Sequence, residues 1–491
     1  MMLFGHIAGI AGVKKKIMAG YELGRDYAQV SYIEQGMEKP ESAAVVTGKE
    51  IFGIPTVLCK RVGVNQWYYG RSAEKMADTD SIVKVDHLLD KARSGDKIEV
   101  DGEQYDPSAL LALFIKRSLS ILSSICGLDE IDSIMFTVES LDDRMIGILD
   151  GISKNLGLDK TSIYFQDYAE SFFHYMMYQP HELWNKDVIS CLYDGERAHI
   201  YVMNRNTQKT PVVVIINESM AEGLLLPVMP TEDRTTASSE NTPDQALHIE
   251  GASAQTTEIE DALASLDTRF EKLFEDVCAG NTQSCVYLLG EGFKKEWMKK
   301  SLKVLCSNGR RVFQGNNLFS TGACFCLMDM RKPSAESASH IYLGRDKLRA
   351  NVGINVFDQG REEYFSIFDA GTTWYDAQME TDCIMGDDQT IQVIVTPLDG
   401  QKVHTEVLTI RDIPEATAQD NTHTYLIYHE INIRSKSDRH GYGVRRDISV
   451  IRSEAGIHYK TGSVENQIEK GTEDGMSGTL PRQTRRSAIL F

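Results

Sequence analysis

Gly20-Tyr21-Glu22-Leu23-Gly24-Arg25-Asp26-Tyr27-Ala28-Gln29-Val30-Ser31-Tyr32 is the stretch whose reading decides the fold. Apolar and aromatic residues flank Gly24, which predicts a strand, a tight turn and a returning strand. A glycine at such a turn also lets a ligand approach the backbone, because no Cβ stands in the way. A plain β-hairpin fits the same residues, so the rest of the chain has to decide whether this hairpin is one wall of a ligand cleft.

The chain has 491 residues, 42% of them hydrophobic, which calls for two or three domains each burying its own core. A formal net charge of −19 excludes nucleic acid as the main partner, since neither Lys14-Lys15-Lys16 nor Arg482 with Arg485-Arg486 is dense enough to follow a phosphate backbone. The nine cysteines are odd in number and sit mostly in apolar surroundings, the pattern of reduced thiols in a cytoplasmic protein. Cys324-Phe325-Cys326 lacks zinc-knuckle spacing and has no His nearby in sequence, so no structural metal is expected. The apolar run at residues 2–12 is followed, not preceded, by lysines and is too short to span a bilayer. No integral membrane segment is expected, and residues 1–16 read as an extension.

Along the chain, strands alternate with helices. Ile54-Pro55-Thr56-Val57 and Trp67-Tyr68-Tyr69-Gly70 read as strands, Pro107 to Cys126 as a helix, Ile131 to Val138 as a buried strand and Asp142 to Leu156 as a capped helix ended by Gly157. Ser162 to Phe165 is the next strand, with a helix starting at Gln166. A second hairpin follows, Val188 to Tyr193 and Ala198 to Met203, turning at Asp194-Gly195. Residues 230–257 are polar and acidic and read as a disordered insertion, followed by an amphipathic helix from Thr257 to Val277. Val286 to Leu289 is a strand meeting Gly290-Glu291-Gly292, and Leu318 to Ala323 enters a small-residue helix. From Ile341 the pattern becomes β-branched, with strands at Ile391–Val395, Val407–Ile410 and Tyr425–Ile433. The expected division is lobe I at 17–187, lobe II at 188–332, a linker at 333–340, a β domain at 341–462 and a disordered tail at 463–491.

Two hairpins, two strand-glycine junctions and two helix starts in this order resemble the actin-like ATPase superfamily. With a β domain after them, they resemble most the seventy-kilodalton heat-shock chaperones. The resemblance implies an α/β two-lobed actin-like ATPase (ribonuclease H-like) fold followed by an antiparallel β-sandwich. Gly20 to Asp26 is similar to that family's first phosphate loop, G-I-D-L-G-T-T, with Gly24 matched, Glu22 at the aspartate's place and both threonines replaced. Leu192 to Arg197 stands where D-L-G-G-G-T would be, and Asp167 stands where the first interlobe helix carries its glutamate. Leu289 to Lys294 resembles the adenosine motif, and Leu318 to Cys324, with Gly322, the second interlobe helix. In the β domain, Thr372-Thr373, Asp387 to Thr390 and Ile410 to Pro414 follow the order of that family's substrate domain. No helical lid follows.

From the resemblance, ATP with Mg2+ is the implied cofactor. Gly20, Glu22, Gly24, Arg25, Gly195, Arg197, Gly290, Gly292, Lys294 and Gly322 would line its site, Asp167 and Asp194 would be the catalytic carboxylates, and Glu22 and Asp194 would hold the metal through water. Phosphoryl transfer needs free backbone N–H groups around the phosphates, and Glu196 brings negative charge toward them. ATPase activity is therefore expected to be weak or absent. His174 and His429 have no nucleophile motif around them and read as packing residues. Two functions stand open. One is a chaperone-like protein with a degenerate ATP cleft that binds a protein or peptide through its β domain. The other is a pseudo-ATPase scaffold or bacterial-actin-type assembly subunit, capable of self-assembly, without nucleotide turnover.

Overall fold

All seven residues of Ile17–Leu23 (β1) are buried, so this strand needs cover on both faces, the condition of a central strand with parallel neighbours. The computed structural model describes residues 16–227 and 249–409, apart from residues 47, 78, 80, 128–129, 157, 159–160, 281, 295, 316, 359–360, 374–376, 378, 380–381, 385–389 and 399–400, together with short strands beyond 409. It divides into two units, residues 1–340 and 341–491.

In the first unit, β1 pairs antiparallel with Tyr27–Glu34 (β2), which pairs in turn with Glu41–Ser42 (β3) and Ile54–Pro55 (β4). Leu58–Arg61 (β5), Trp67–Tyr69 (β6) and Ile82–Val85 (β7) form a small antiparallel sheet, with Gly70–Met76 (α1) between the last two. Leu88–Ser94 (α2), the hairpin of Ile98–Val100 (β8) and Glu103–Tyr105 (β9), and Pro107–Leu119 (α3) follow. Asp106 caps α3, accepting the Ser108 N–H at 2.7 Å, and Pro107 sits at the first helical position, where its missing N–H costs nothing. Ile131–Val138 (β10) returns parallel to β1, Asp143–Asn155 (α4) crosses over, and Ser162–Asp167 (β11) adds parallel to β10. The sheet order is β11-β10-β1-β2-β3.

Tyr168–Met177 (α5) leads to a second sheet. Asp187–Tyr193 (β12), Ala198–Asn206 (β13) and Val212–Ala221 (β14) form an antiparallel meander. After Ile249–Cys278 (α6), Gln283–Leu289 (β15) pairs parallel to β12. After Lys300–Leu305 (α7), Arg311–Gln314 (β16) pairs parallel to β15. The order β16-β15-β12-β13-β14 repeats that of the first sheet strand for strand. Each sheet is then followed by a helix that leaves its last parallel strand, α5 after β11 and Leu318–Arg331 (α8) after β16. Ala335–Ser339 (α9) and His340–Tyr342 (β17) close this part of the chain.

The first sheet packs Ile17, Ala19, Tyr21 and Leu23 against Leu110, Leu111 and Phe114 of α3 and Met145, Leu149 and Ile152 of α4. Its other face meets α8, where Met18 packs with Ala323, Cys324 and Leu327. The second sheet is filled largely by aromatic rings, with Tyr193, Phe270, Phe293 and Trp297 packed on one another.

The second unit contains Ala350–Asp358 (β18), Arg361–Phe368 (β19), Asp382–Ile384 (β20), Thr390–Pro397 (β21) and His404–Thr409 (β22). Four of these form an antiparallel sheet in the order β19-β18-β21-β22. Ile391, Val393 and Val395 alternate into its core, the period-two burial of a one-sided sheet.

Three boundaries differ from the sequence reading. The amphipathic helix begins at Ile249, not Thr257, so residues 249–257 are helical; Ala252, Ala254 and Gln255 favour that state. Residues 335–339 of the expected linker form α9, capped by Ser334, which accepts the Ser337 N–H at 3.0 Å. The helix expected from Gln166 starts at Tyr168, because Asp167 is its N-cap and accepts the Glu170 N–H at 2.7 Å. Of Tyr425–Ile433 only the strand Tyr425–Leu426 is described. The readings at Gly157, Asp387 to Gln389, Ile410 to Pro414 and His429 fall outside the described residues. No helix among the described residues is long and apolar enough to cross a membrane.

Candidate functional site

The two hairpins end in turns of the same build. Leu23 pairs with Ala28 and Tyr193 with Ala198, which leaves four residues in each turn, Gly24–Tyr27 and Asp194–Arg197. Each is closed from its first N–H to its last carbonyl, Gly24 to Tyr27 at 2.9 Å and Asp194 to Arg197 at 3.2 Å. An ion pair joins the turns, with Arg25 Nη1 3.8 Å from Glu196 Oε2, and Asp90 holds the Arg25 Nε side at 3.4 Å. Burial raises the Asp26 carboxyl above its usual range, and the nearby Asp194 carboxylate adds to the shift.

Three of the four backbone N–H groups of the second turn are taken from within, those of Asp194, Glu196 and Arg197. Asp194 Oδ1 accepts the backbone N–H of Glu196 at 2.9 Å and of Arg197 at 2.7 Å, while Oδ2 accepts Arg197 Nε and Nη2 at 3.2 and 3.1 Å. A carboxylate thus takes the backbone donors that a phosphate loop offers to a phosphate. The chain beyond β14 straps this turn, with the Leu226 N–H donating to the Gly195 carbonyl at 2.7 Å and the Leu224 N–H to that of Glu196 at 2.8 Å.

Next to the first turn lies a polar row across the first sheet. Gln29, Glu22, Thr137 and Gln166 are successive partners on β2, β1, β10 and β11, and all four are buried. Gln166 Nε2 donates to Thr137 Oγ1 at 3.0 Å. Gln29 Oε1, Glu22 Oε2 and Gln166 Oε1 are buried acceptors without a hydrogen bond from the protein. Burial pushes the Glu22 carboxyl up to about 8, against hydrogen bonds from the Ser320 backbone and Tyr168 that favour its ionised form. Glu22 is therefore not a solvated strand residue.

A histidine clamp bridges the sheets further along. Glu139 follows β10, and its Oε1 lies 3.1 Å from His199 Nδ1 on β13, while Glu218 Oε2 on β14 lies 3.4 Å from His199 Nε2. The Tyr201 hydroxyl is 2.9 Å from His199 Nδ1. Burial opposes a charged imidazole here, yet the hydrogen bonds and charges of the two carboxylates outweigh it and raise the His199 pKa.

The expected site glycines are required by contacts within the protein. A Cβ on Gly20 would overlap the Ser320 carbonyl, one on Gly322 the Ser171 backbone, and one on Gly290 the Tyr193 carbonyl. One on Gly292 would enter the Tyr193 ring, and one on Gly24 would meet the Tyr27 carbonyl at 2.5 Å and the Tyr168 hydroxyl at 3.1 Å. Gly195 has a φ of +98°, which the turn itself demands. Lys294 is exposed. Of the residues named from sequence, Gly24, Arg25, Asp194, Gly195 and Arg197 meet at the paired turns, Glu22 lies in the polar row beside the first turn, and Asp167 serves as a helix cap. Gly20 and Gly322 pack the helices, and Gly290 and Gly292 pack on Tyr193.

Sequence reasoning missed Tyr168, Phe319, Glu139, His199 and the glutamines of the polar row. Tyr168 and Phe319 come from the starts of α5 and α8, while pairing across the sheets aligns the glutamines and places His199 beside Glu139.

Residues 39–345, well over half of the chain, match the C-terminal part of a family of unknown function, DUF5716. The chain belongs to this family. The match runs from just before β3 through β17 and covers the second turn and helices α5 and α8, while β1 and β2 with Glu22 and Gly24 precede it. Residues 347–423, in the second unit, match a domain of unknown function, DUF8552. No curated protein matches the chain.

Proposed function

We propose that the first unit is an actin-type ATPase fold whose phosphate site has been closed from inside, and that the protein works as a scaffold for protein contacts without nucleotide turnover. The observation that carries this reading is the Asp194 carboxylate on the N–H groups of Glu196 and Arg197. A polyphosphate would have to displace that carboxylate and approach Glu196 and Asp26, where a partly desolvated setting screens repulsion poorly. The repeated sheet order and the matching turns support the fold.

The implied cofactors divide at this site. The unbonded acceptor oxygens of Gln29, Glu22 and Gln166 suit a hydrated Mg2+. The ring of Tyr193 against Gly292 and the Asp194 carboxylate on the Glu196 and Arg197 N–H groups do not suit the nucleotide. In the second unit, β22 is an edge strand among the described residues; its Val407 is 57% exposed, and Val403 just before it is 60% exposed. An extended protein segment adding to that edge would gain backbone hydrogen bonds and cover both valines. Contact through this edge, in a partner or in a second copy of the chain, is the scaffold function we assign.

Phosphate release from Mg-ATP, measured beside small-angle scattering with and without the nucleotide, tests the reading. It predicts release no faster than buffer and an unchanged radius of gyration. Turnover that disappears in Glu22→Gln, or a nucleotide-dependent change in radius, would overturn it.

A further inference from the structure

Away from the paired turns, α5 and α8 bring together a second set of chemically active side chains. Glu170 and His174 are one turn apart on α5, and Cys326 stands on the facing side of α8. One ligand atom from each of the three lies within 4.8 Å of the others, and Glu170 and Cys326 are buried. The histidine is also aimed. Its Nδ1 is 2.8 Å from Asp329 Oδ2, which turns Nε2 toward Glu170, with Oε1 at 4.0 Å, and toward the Cys326 thiol. Asp329 is itself held by three further donors, the Tyr178 hydroxyl at 2.9 Å, the Ser337 hydroxyl at 2.6 Å and the Ser334 N–H at 3.1 Å. A carboxylate fixing one imidazole nitrogen while the other faces sulfur and oxygen ligands is how metal-binding histidines are commonly oriented.

We propose that Glu170, His174 and Cys326 form a binding site for a borderline-soft divalent cation of the zinc class, which staples α5 to α8. One thiolate, one imidazole and one carboxylate suit Zn2+ and Co2+, and disfavour Mg2+ and Ca2+, which prefer all-oxygen shells. A tetrahedral zinc with bonds of about 2.0–2.3 Å separates its ligands by roughly 3.3–3.7 Å. Closing from 4.8 Å therefore asks for side-chain adjustment and no movement of the helices. The cation would take the Nε2 lone pair of His174, whose Nδ1–H faces Asp329, and would displace the thiol proton of Cys326. It would tie the helix that follows the first sheet to the helix that follows the second, whatever occupies the paired turns. The dipeptide spacing around Cys326 hid this set, because the histidine comes from a helix about 150 residues earlier.

The test is a titration of the metal-stripped full chain with Co2+, followed by optical absorption and by proton release to an indicator dye, with zinc competition. The site predicts one equivalent bound, a thiolate-to-cobalt charge-transfer band in the near ultraviolet, tetrahedral d–d bands, and displacement by Zn2+. Cys326→Ser should abolish the charge-transfer band, and Cys306→Ser, which changes an exposed thiol outside the cluster, should leave it intact. Loss of the band in Cys306→Ser, or its persistence in Cys326→Ser, would overturn the assignment. If Cys326→Ser does not fold, the native chain still decides, since Co2+ binding without a charge-transfer band, or no stoichiometric binding, contradicts the site.

Discussion

The ring of Tyr168 lies flat on that of Phe319, with centroids 4.0 Å apart and planes 7° from parallel. These are the first residue of α5 and the second of α8, so the stack joins the helices that leave the two sheets. The Ser171 hydroxyl reinforces it by donating to the Phe319 carbonyl at 2.6 Å. Phe319→Ala removes a fully buried ring and should lower unfolding free energy by about 3–5 kcal/mol, read from urea denaturation. A loss below 1 kcal/mol would mean that the stack does not hold the sheets together.

The helix crossing depends on missing Cβ atoms. Gly20→Ala and Gly322→Ala both place a methyl into backbone and should each cost about 1–3 kcal/mol. Gly147 lies inside α4 with nothing within 4 Å of a built Cβ, so Gly147→Ala should stabilise by about 0.5–1 kcal/mol. Thermal melts of the three variants check both signs.

Glu22 makes stability fall as pH rises. Its carboxyl titrates at about 8 in the folded protein against an ordinary 4.5, so between those values the native state holds one proton more than the unfolded chain. Above pH 8 the ionised, buried carboxylate costs on the order of 5 kcal/mol. Glu22→Gln should match the native protein near pH 4.5 and exceed its stability increasingly up to pH 8. Equal stability at pH 8.5 would show that Glu22 ionises without penalty.

His199 gives a different profile. Its pKa is raised by Glu139 and Glu218, so the clamp contributes fully below pH 6.5 and is lost as pH rises through the folded value. His199→Gln should therefore be less stable than the native protein at pH 6, with the gap narrowing by pH 9. A gap independent of pH would assign the loss to packing alone.

The hairpin at Gly20 to Tyr32 was legible because β1 and β2 are built from local pattern and a turn glycine, and the same holds for Asp187 to Asn206. The sheet order was not, since it depends on β10 and β15 returning from far along the chain to pair beside β1 and β12. At the candidate site, Glu22, Gly24 and Asp194 could be named from position in the chain. What Asp194 does could not, because Asp-Gly fits an open turn as well as one closed by the aspartate's own carboxylate. The glycines at 290 and 292 read as ligand contacts from sequence. Their neighbour, Tyr193, comes from another strand, and only pairing reveals it.

The most direct test of the proposed closed phosphate site is calorimetric titration of the full native chain with Mg-ATP at millimolar concentration. Occupation of the Glu196 and Arg197 N–H groups by Asp194 predicts no saturable heat and no shift in melting temperature. Saturable binding with one nucleotide per chain, weakened by a bulky residue at Gly195, would contradict it.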